Sequence, residues 1–215
     1  MSSDAGVPLP APIGVLRSIQ VGRIAALGPQ AVPSAFVKQP VAAPVFVDTL
    51  GIVGDEQADL RVHGGRDKAV YGYALANYPA WRAEFAQYQA LLQPGAFGEN
   101  LTIDGCDEHS VCVGDTISVG EAVLLVTEPR QPCYKFALRF GDEAMPRAMI
   151  RNGRCGWYFR VLQTGRIEPG QPLVLRARPY AQWPIWRVNR LIVQRGGSPA
   201  ERAEFAPIKA ALRAG

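Results

Sequence analysis

Histidine is scarce in this chain, with only His63 and His109 among 215 residues. The four cysteines, Cys106, Cys112, Cys133 and Cys155, form no C-x-x-C pair. Together these shortages argue against a zinc centre of ordinary ligand spacing. There is no G-x-G-x-x-G, Walker A, G-x-S-x-G or H-E-x-x-H motif, so simple dinucleotide, P-loop, serine-hydrolase and zincin readings fall away. No apolar run approaches the roughly 20 residues of a membrane span. No block of consecutive Lys and Arg marks a nucleic-acid tail. The opening MSSDAGVPLPAP has three prolines and no basic residue before Arg17, unlike a signal peptide. These absences lead us to expect a reduced-thiol, cytoplasmic protein with neither a membrane nor a nucleic-acid polymer as partner.

The composition is that of a globular chain, 48% hydrophobic and 20% charged. Its length predicts one domain plus an appendage, large enough to be stable without disulfides. Charge is uneven along it. Residues 1–128 carry seven Lys and Arg against fourteen Asp and Glu, a net of −7, whereas residues 129–215 carry sixteen against five, a net of +11. Such an asymmetry suits an anionic partner such as a phosphate or nucleotide, although scattered arginines also solvate helix faces.

The 22 glycines and 18 prolines predict many turns and short elements. Residues 1–12 read as a mobile tail, and IGVLRSIQVGRI (13–24) as a partly buried strand. AFVKQPVAAPVFVDTL, broken by Pro40 and Pro44, reads as short edge strands. KAVYGYAL predicts a strand and NYPAWRAEFAQY a helix capped by Asn77. ENLTI, DTISVG and AVLLVTE follow as strands separated by turns. CYKFALRF and EAMPRAMI read as short helices, then WYFRVLQTG and PLVLRARP as strands. Beyond Pro179 the period becomes helical, and Ser198 with Glu201 fits a capping box. The sum is a mostly β, α+β fold: a closed, barrel-like sheet over 13–178 with inserted helices, and a short helical C-terminal piece over 180–215.

Three stretches carry residues able to do chemistry. In RVHGGRDKAVYGY (61–73), Gly64 and Gly65 sit among Arg61, His63, Arg66 and Lys68. Adjacent glycines among cations form either a concave anion site or a solvated surface turn. His63 can bind an anion, relay a proton or serve as a hydrogen-bonded structural residue. In TEPRQPCYKFALRF (127–140), Cys133 enters a helix behind two prolines, with Arg130 and Lys135 close by. That setting favours the thiolate, which ligates a soft metal or attacks an electrophile. Cys106, Cys112 and Cys155 read as buried, inert thiols. In PGAFGENLTI (94–103), Asn100 either hydrogen-bonds a heterocycle edge or caps a turn.

Taken together, GDEQADLRVHGGRDKAVYGY, PGAFGENLTIDG and VGDTISVGEAVLLVTEPRQPCYKF resemble, in this order, the MOSC domain (molybdenum cofactor sulfurase C-terminal), and within it the YiiM-like group. The resemblance covers about residues 13–178. It implies a β-barrel-type fold and a molybdenum cofactor of the molybdopterin-type pyranopterin class. The family's motif cysteine, the molybdenum ligand, falls on Cys133. Its cofactor-holding cations fall on Arg61, His63, Lys68 and Arg130, with Gly64, Gly65 and Asn100 beside them. Related members reduce N-hydroxylated compounds, including hydroxylamino purine analogues, with electrons from a separate flavoprotein. The resemblance therefore implies a molybdenum-dependent oxidoreductase acting on N-hydroxylated bases. Two other readings compete: sulfur transfer through a Cys133 persulfide, and a non-catalytic pterin-cofactor carrier.

Overall fold

The computed structural model describes residues 9–59 and 64–214. Arg61 and His63 fall outside the described residues, as do residues 1–8 of the expected tail. The remainder of that tail is not loose. The first strand, β1 (Ala11–Gly22), begins inside it and is hydrogen-bonded from its first residue.

The strands that follow are β2 (Ala25–Leu27), β3 (Val32–Ser34), β4 (Lys38–Val41), β5 (Val45–Asp48), β6 (Gly51–Ile52) and β7 (Val70–Ala74). Helix α1 (Asn77–Glu84) leads to β8 (Leu101–Asp104), β9 (Thr116–Val119) and β10 (Ala122–Pro129). Helices α2 (Tyr134–Phe140) and α3 (Ala144–Asn152) precede β11 (Trp157–Gln163), β12 (Gly165–Ile167) and β13 (Pro172–Ala177). The described chain ends with α4 (Ile185–Ile192) and α5 (Pro199–Ala214).

Seven strands close a barrel in the order β13-β9-β10-β11-β7-β8-β1, and β1 pairs back onto β13. The closure depends on β1 serving three partners in turn. Ala11–Val15 pairs with β13, Val15–Ile19 with β8, and Ile19–Gly22 with β4. Two register shifts, at Pro12/Gly14 and Leu16/Ser18, bend the strand enough to do so. All pairings are antiparallel except β7 with β8, a parallel pair whose crossover contains α1. Burial alternates along the first half of β10, whereas β7 is covered on both faces.

Local sequence accounts for most element ends. Gly141 and Gly153 close α2 and α3 in the left-handed conformation. Ser198 and Glu201 form the reciprocal capping box of α5, with N–H to side-chain distances of 2.9 and 3.2 Å. Asn77 does not cap α1. Ala76 holds that place, and the Asn77 amide instead donates to the Glu108 carboxylate at 3.0 Å. Pro40 leaves β4 as an edge strand, as its missing donor requires. Pro44 does not: β5 lies at the centre of a small sheet, β12-β5-β6. The three-residue β12 lies in the turn between two stronger strands, a segment without a strand pattern of its own.

The C-terminal helices share the barrel's hydrophobic core. Trp183, Ile185, Val188 and Phe205 are buried in it, and the Trp183 and Phe205 rings lie 4.7 Å apart. Among the described residues, no helix is long and apolar enough to cross a membrane.

Candidate cofactor cleft at the Cys133 loop

Strand β10 carries a register shift between Val126 and Pro129, and such a bulge re-aims the chain beyond it. The chain then runs through Arg130 and Pro132 to Cys133, the residue that caps α2. Gly156 makes the close approach possible on the other side. Its φ is 65°, a Cβ there would lie 2.3 Å from the Gly72 carbonyl, and its own carbonyl accepts the Arg130 N–H at 3.3 Å.

Cys133 opens onto a cleft. Phe36, Lys38, Asp55, Lys68, Tyr71, Asn100, Arg130, Lys135 and Tyr158 line it. Of the four cysteines, Cys133 alone is half-exposed. Burial pushes the Cys106 thiol up to about 12 and the Cys112 thiol up to about 11. The wholly buried Cys155 thiol is also raised well above its ordinary value by burial. These three are inert packing groups.

Arg130 is the unusual member. Only 4% of its surface is exposed, and its guanidinium sits 5.2 Å from the Tyr71 ring, 5.4 Å from Phe36 and 5.8 Å from Phe136. Its Nη1 lies 3.8 Å from the Met149 sulfur, and the Tyr158 hydroxyl is hydrogen-bonded to it. Among the described residues, no carboxylate pairs with it. Burial disfavours its charge, but Tyr71, Tyr158 and Cys133 more than offset this and hold it above the ordinary arginine range. The coupling to Cys133 is reciprocal, so negative charge on the sulfur and positive charge on Arg130 stabilise each other.

The other cations of the cleft have partners. Lys38 Nζ meets Asp55 Oδ1 at 2.5 Å, with both side chains buried, and burial holds its pKa below the usual lysine value despite that pairing. Lys135 Nζ donates to the Pro33 carbonyl at 3.1 Å. Lys68 Nζ lies 3.5 Å from Glu128 and 5.8 Å from the Tyr158 ring centre.

The structure thus brings Cys133, Arg130, Lys68 and Asn100 to one cleft. Gly65 has φ 90° with open space beside its Cβ position, so the turn before Lys68 does need glycine. Gly64 faces a neighbouring cleft instead. Asn100 lines the cleft, but its amide is occupied. It accepts the Tyr71 N–H at 3.1 Å and donates to Asp55 at 2.8 Å and to the Gln20 carbonyl at 3.3 Å. Its part is to fix Asp55 and β7. Lys38, Asp55, Tyr71 and Tyr158 escaped sequence reasoning; a lysine within the mostly apolar AFVKQPV was the one available signal.

A family model for the MOSC domain matches residues 59–174. The chain belongs to the MOSC domain family. This MOSC chain is 44% identical over 160 residues to YflK of Bacillus subtilis, covering 74% of itself and 71% of that protein. It is also 44% identical over 194 residues to a protein named reductase in Gibberella moniliformis. That match takes in 89% of the MOSC chain but spans only about a third (34%) of the reductase. The barrel with its C-terminal helices superposes on the crystal structure of YiiM from Geobacillus stearothermophilus with a TM-score of 0.75 at 32% identity. The superposition covers 93% of this chain and 97% of that one.

Proposed function

We propose that the protein binds a molybdenum cofactor of the molybdopterin type at the Cys133 cleft and reduces N-hydroxylated bases or related N–O compounds. The observation that carries this reading is the caged Arg130, without a carboxylate partner among the described residues, beside the half-exposed Cys133. The donor set fits such a group. Among the described residues, no three His, Cys, Asp or Glu side chains gather to hold a metal ion. A metal that arrives with its own dithiolene ligands needs only one soft donor from the protein. Cys133 supplies that donor, and Arg130 with Lys68 supplies positive charge for an anionic pterin phosphate. Arg61 and His63 are assigned to the same task through the family motif.

When bound, the cofactor supplies two-electron chemistry at an N–O bond, recharged by a separate electron-donating flavoprotein. The chain's own residues bind and orient. Arg130 holds the anionic part in a water-poor aromatic cage, where its charge is strong. Asp55 and Asn100 keep the opposite wall rigid. The kinship with a protein named reductase supports the activity class.

The test is reduction of a hydroxylamino purine by reduced dye, with molybdenum measured on the same gently purified sample. Turnover that scales with molybdenum content supports the reading. Stoichiometric molybdenum without turnover would turn it into cofactor carriage, and cyanide-labile sulfur without molybdenum would turn it into persulfide transfer.

A further inference from the structure

The last turn of α5 and the turn that carries Lys68 are far apart in sequence but share one side chain. Arg160 of β11 is 3% exposed. Its Nε donates to Asp67 Oδ1 at 2.7 Å, its Nη2 lies 2.5 Å from the same oxygen, and Nη2 also donates to the Leu212 carbonyl.

Each partner uses the bridge for its own reason. Carbonyls in the last turn of a helix have no donor within it, and the negative end of the helix favours a cation. Beyond Ile208, Leu212 is the one half-buried residue of α5 and the rest are exposed, so apolar packing holds that end weakly. On the other side, Asp67 stands between Gly65 and Lys68, and its carbonyl accepts the Thr127 hydroxyl at 2.7 Å. The Lys68 N–H closes the turn onto the Gly65 carbonyl at 3.1 Å. Asp67 therefore fixes the turn that presents Lys68 to the Cys133 cleft. Because Arg160 is desolvated, losing either acceptor leaves buried donors unmet. The two contacts support each other.

We propose that Arg160 is a positioning residue of the cofactor site. It couples docking of the last turn of α5 to the Gly65–Lys68 turn, and so makes the C-terminal helix a condition for holding an anionic group at Lys68. The proposal rests on the cofactor reading above and adds to it a residue outside the lining of the Cys133 cleft.

The experiment compares three single variants of the full chain: Asp67→Ala on the turn side, Ala211→Pro on the helix side, and Arg160→Met at the bridge. Hydrogen exchange is followed at residues 64–69 and 209–214 of cofactor-free protein, and molybdenum per folded protein is measured on gently purified samples. Asp67→Ala should speed exchange at 209–214, and Ala211→Pro at 64–69, by about tenfold or more, as loss of a charge-assisted bond implies. Arg160→Met should loosen both segments, and in its background neither other substitution should act on the distant segment further. Molybdenum content should fall about threefold or more in all three, while β10 exchanges at its unaltered rate. Far-segment exchange that stays unaltered, far-segment effects that persist without Arg160, or molybdenum content that holds in Arg160→Met would overturn the proposal. If Ala211→Pro does not fold, Arg160→Met and Asp67→Ala decide it by the same criteria at 209–214. Absence of molybdenum from the unaltered protein would instead sink the cofactor reading, while the exchange pattern still decides the coupling.

Discussion

Lys38 and Arg130 line the same cleft and are both buried, yet they solve burial differently. Lys38 is locked to Asp55 at 2.5 Å, and Asp55 is itself held by the Gly22 N–H at 2.6 Å and by Asn100. Arg130 has aromatic rings, a thioether and a phenol around it but no carboxylate among the described residues. The first arrangement is complete within the chain. The second leaves, under the proposed reading, a cation for an anion from outside to meet. Pairing, rather than burial or sign of charge, separates the wall that holds the cleft open from the wall to which we assign binding.

Breaking the paired wall should have the largest effect. Asp55→Ala leaves Lys38 buried without its hydrogen-bonded carboxylate, with only Glu99 acting on it electrostatically, and removing one partner of a buried pair costs about 3–5 kcal/mol. Urea unfolding should show that loss; a change under about 1 kcal/mol would mean the pair is not structural. Next come the two cysteines nearest Arg130. Cys155→Ser places a hydroxyl in a fully buried site and should destabilise by about 1–3 kcal/mol. Cys133→Ser, half-exposed, should unfold at nearly the unaltered denaturant concentration. Equal losses in the two would erase the distinction between packing thiol and site thiol.

Arg130→Met should be milder still in cofactor-free protein, within about 1 kcal/mol of the unaltered chain. It removes cation–π contacts but also a buried charge that has no carboxylate partner among the described residues. A loss as large as that of Asp55→Ala would show Arg130 to be a structural staple instead. The smallest effect concerns Glu108, a buried carboxylate that pairs with no cation among the described residues and is held by the Gly156 N–H at 2.7 Å and the Asn77 amide. Burial raises its pKa above the ordinary 4.5, so the folded state holds its proton more tightly than the unfolded chain. Its stabilising contribution is therefore full below that ordinary value and lost as pH rises through the folded one. Relative to Glu108→Gln, the unaltered protein should gain stability on acidification, read from denaturant midpoints over about pH 4 to 8. A pH-independent difference between the two would contradict this.

Much of the fold was legible because its signals are local. The β-branched runs of β1, β7, β10 and β11, the glycines after α2 and α3, and the Ser198–Glu201 box each act within a few residues. The centre of the small sheet at β5 and the role of Asn77 were not legible, because both depend on partners far along the chain. Asn77 meets Glu108, and β5 pairs with β12 at Arg166 and Ile167. In the cleft, Cys133 and Arg130 stood out by their place between two prolines and a helix. The Lys38–Asp55 pair joins residues 17 apart, with β4, β5 and β6 lying between or around them, so nothing in either neighbourhood announces the other. The aromatic cage is likewise assembled from four separate segments.

The central claim is that the aromatic-caged Arg130 and the thiol of Cys133 together hold an anionic molybdenum cofactor. Its most direct test is the molybdenum and pterin content of the unaltered protein, Arg130→Met and Cys133→Ser, expressed and purified side by side. The account predicts near-stoichiometric molybdenum in the first and less than about a tenth of that in either variant, with all three folded by circular dichroism. Unaltered molybdenum content in both variants would contradict it.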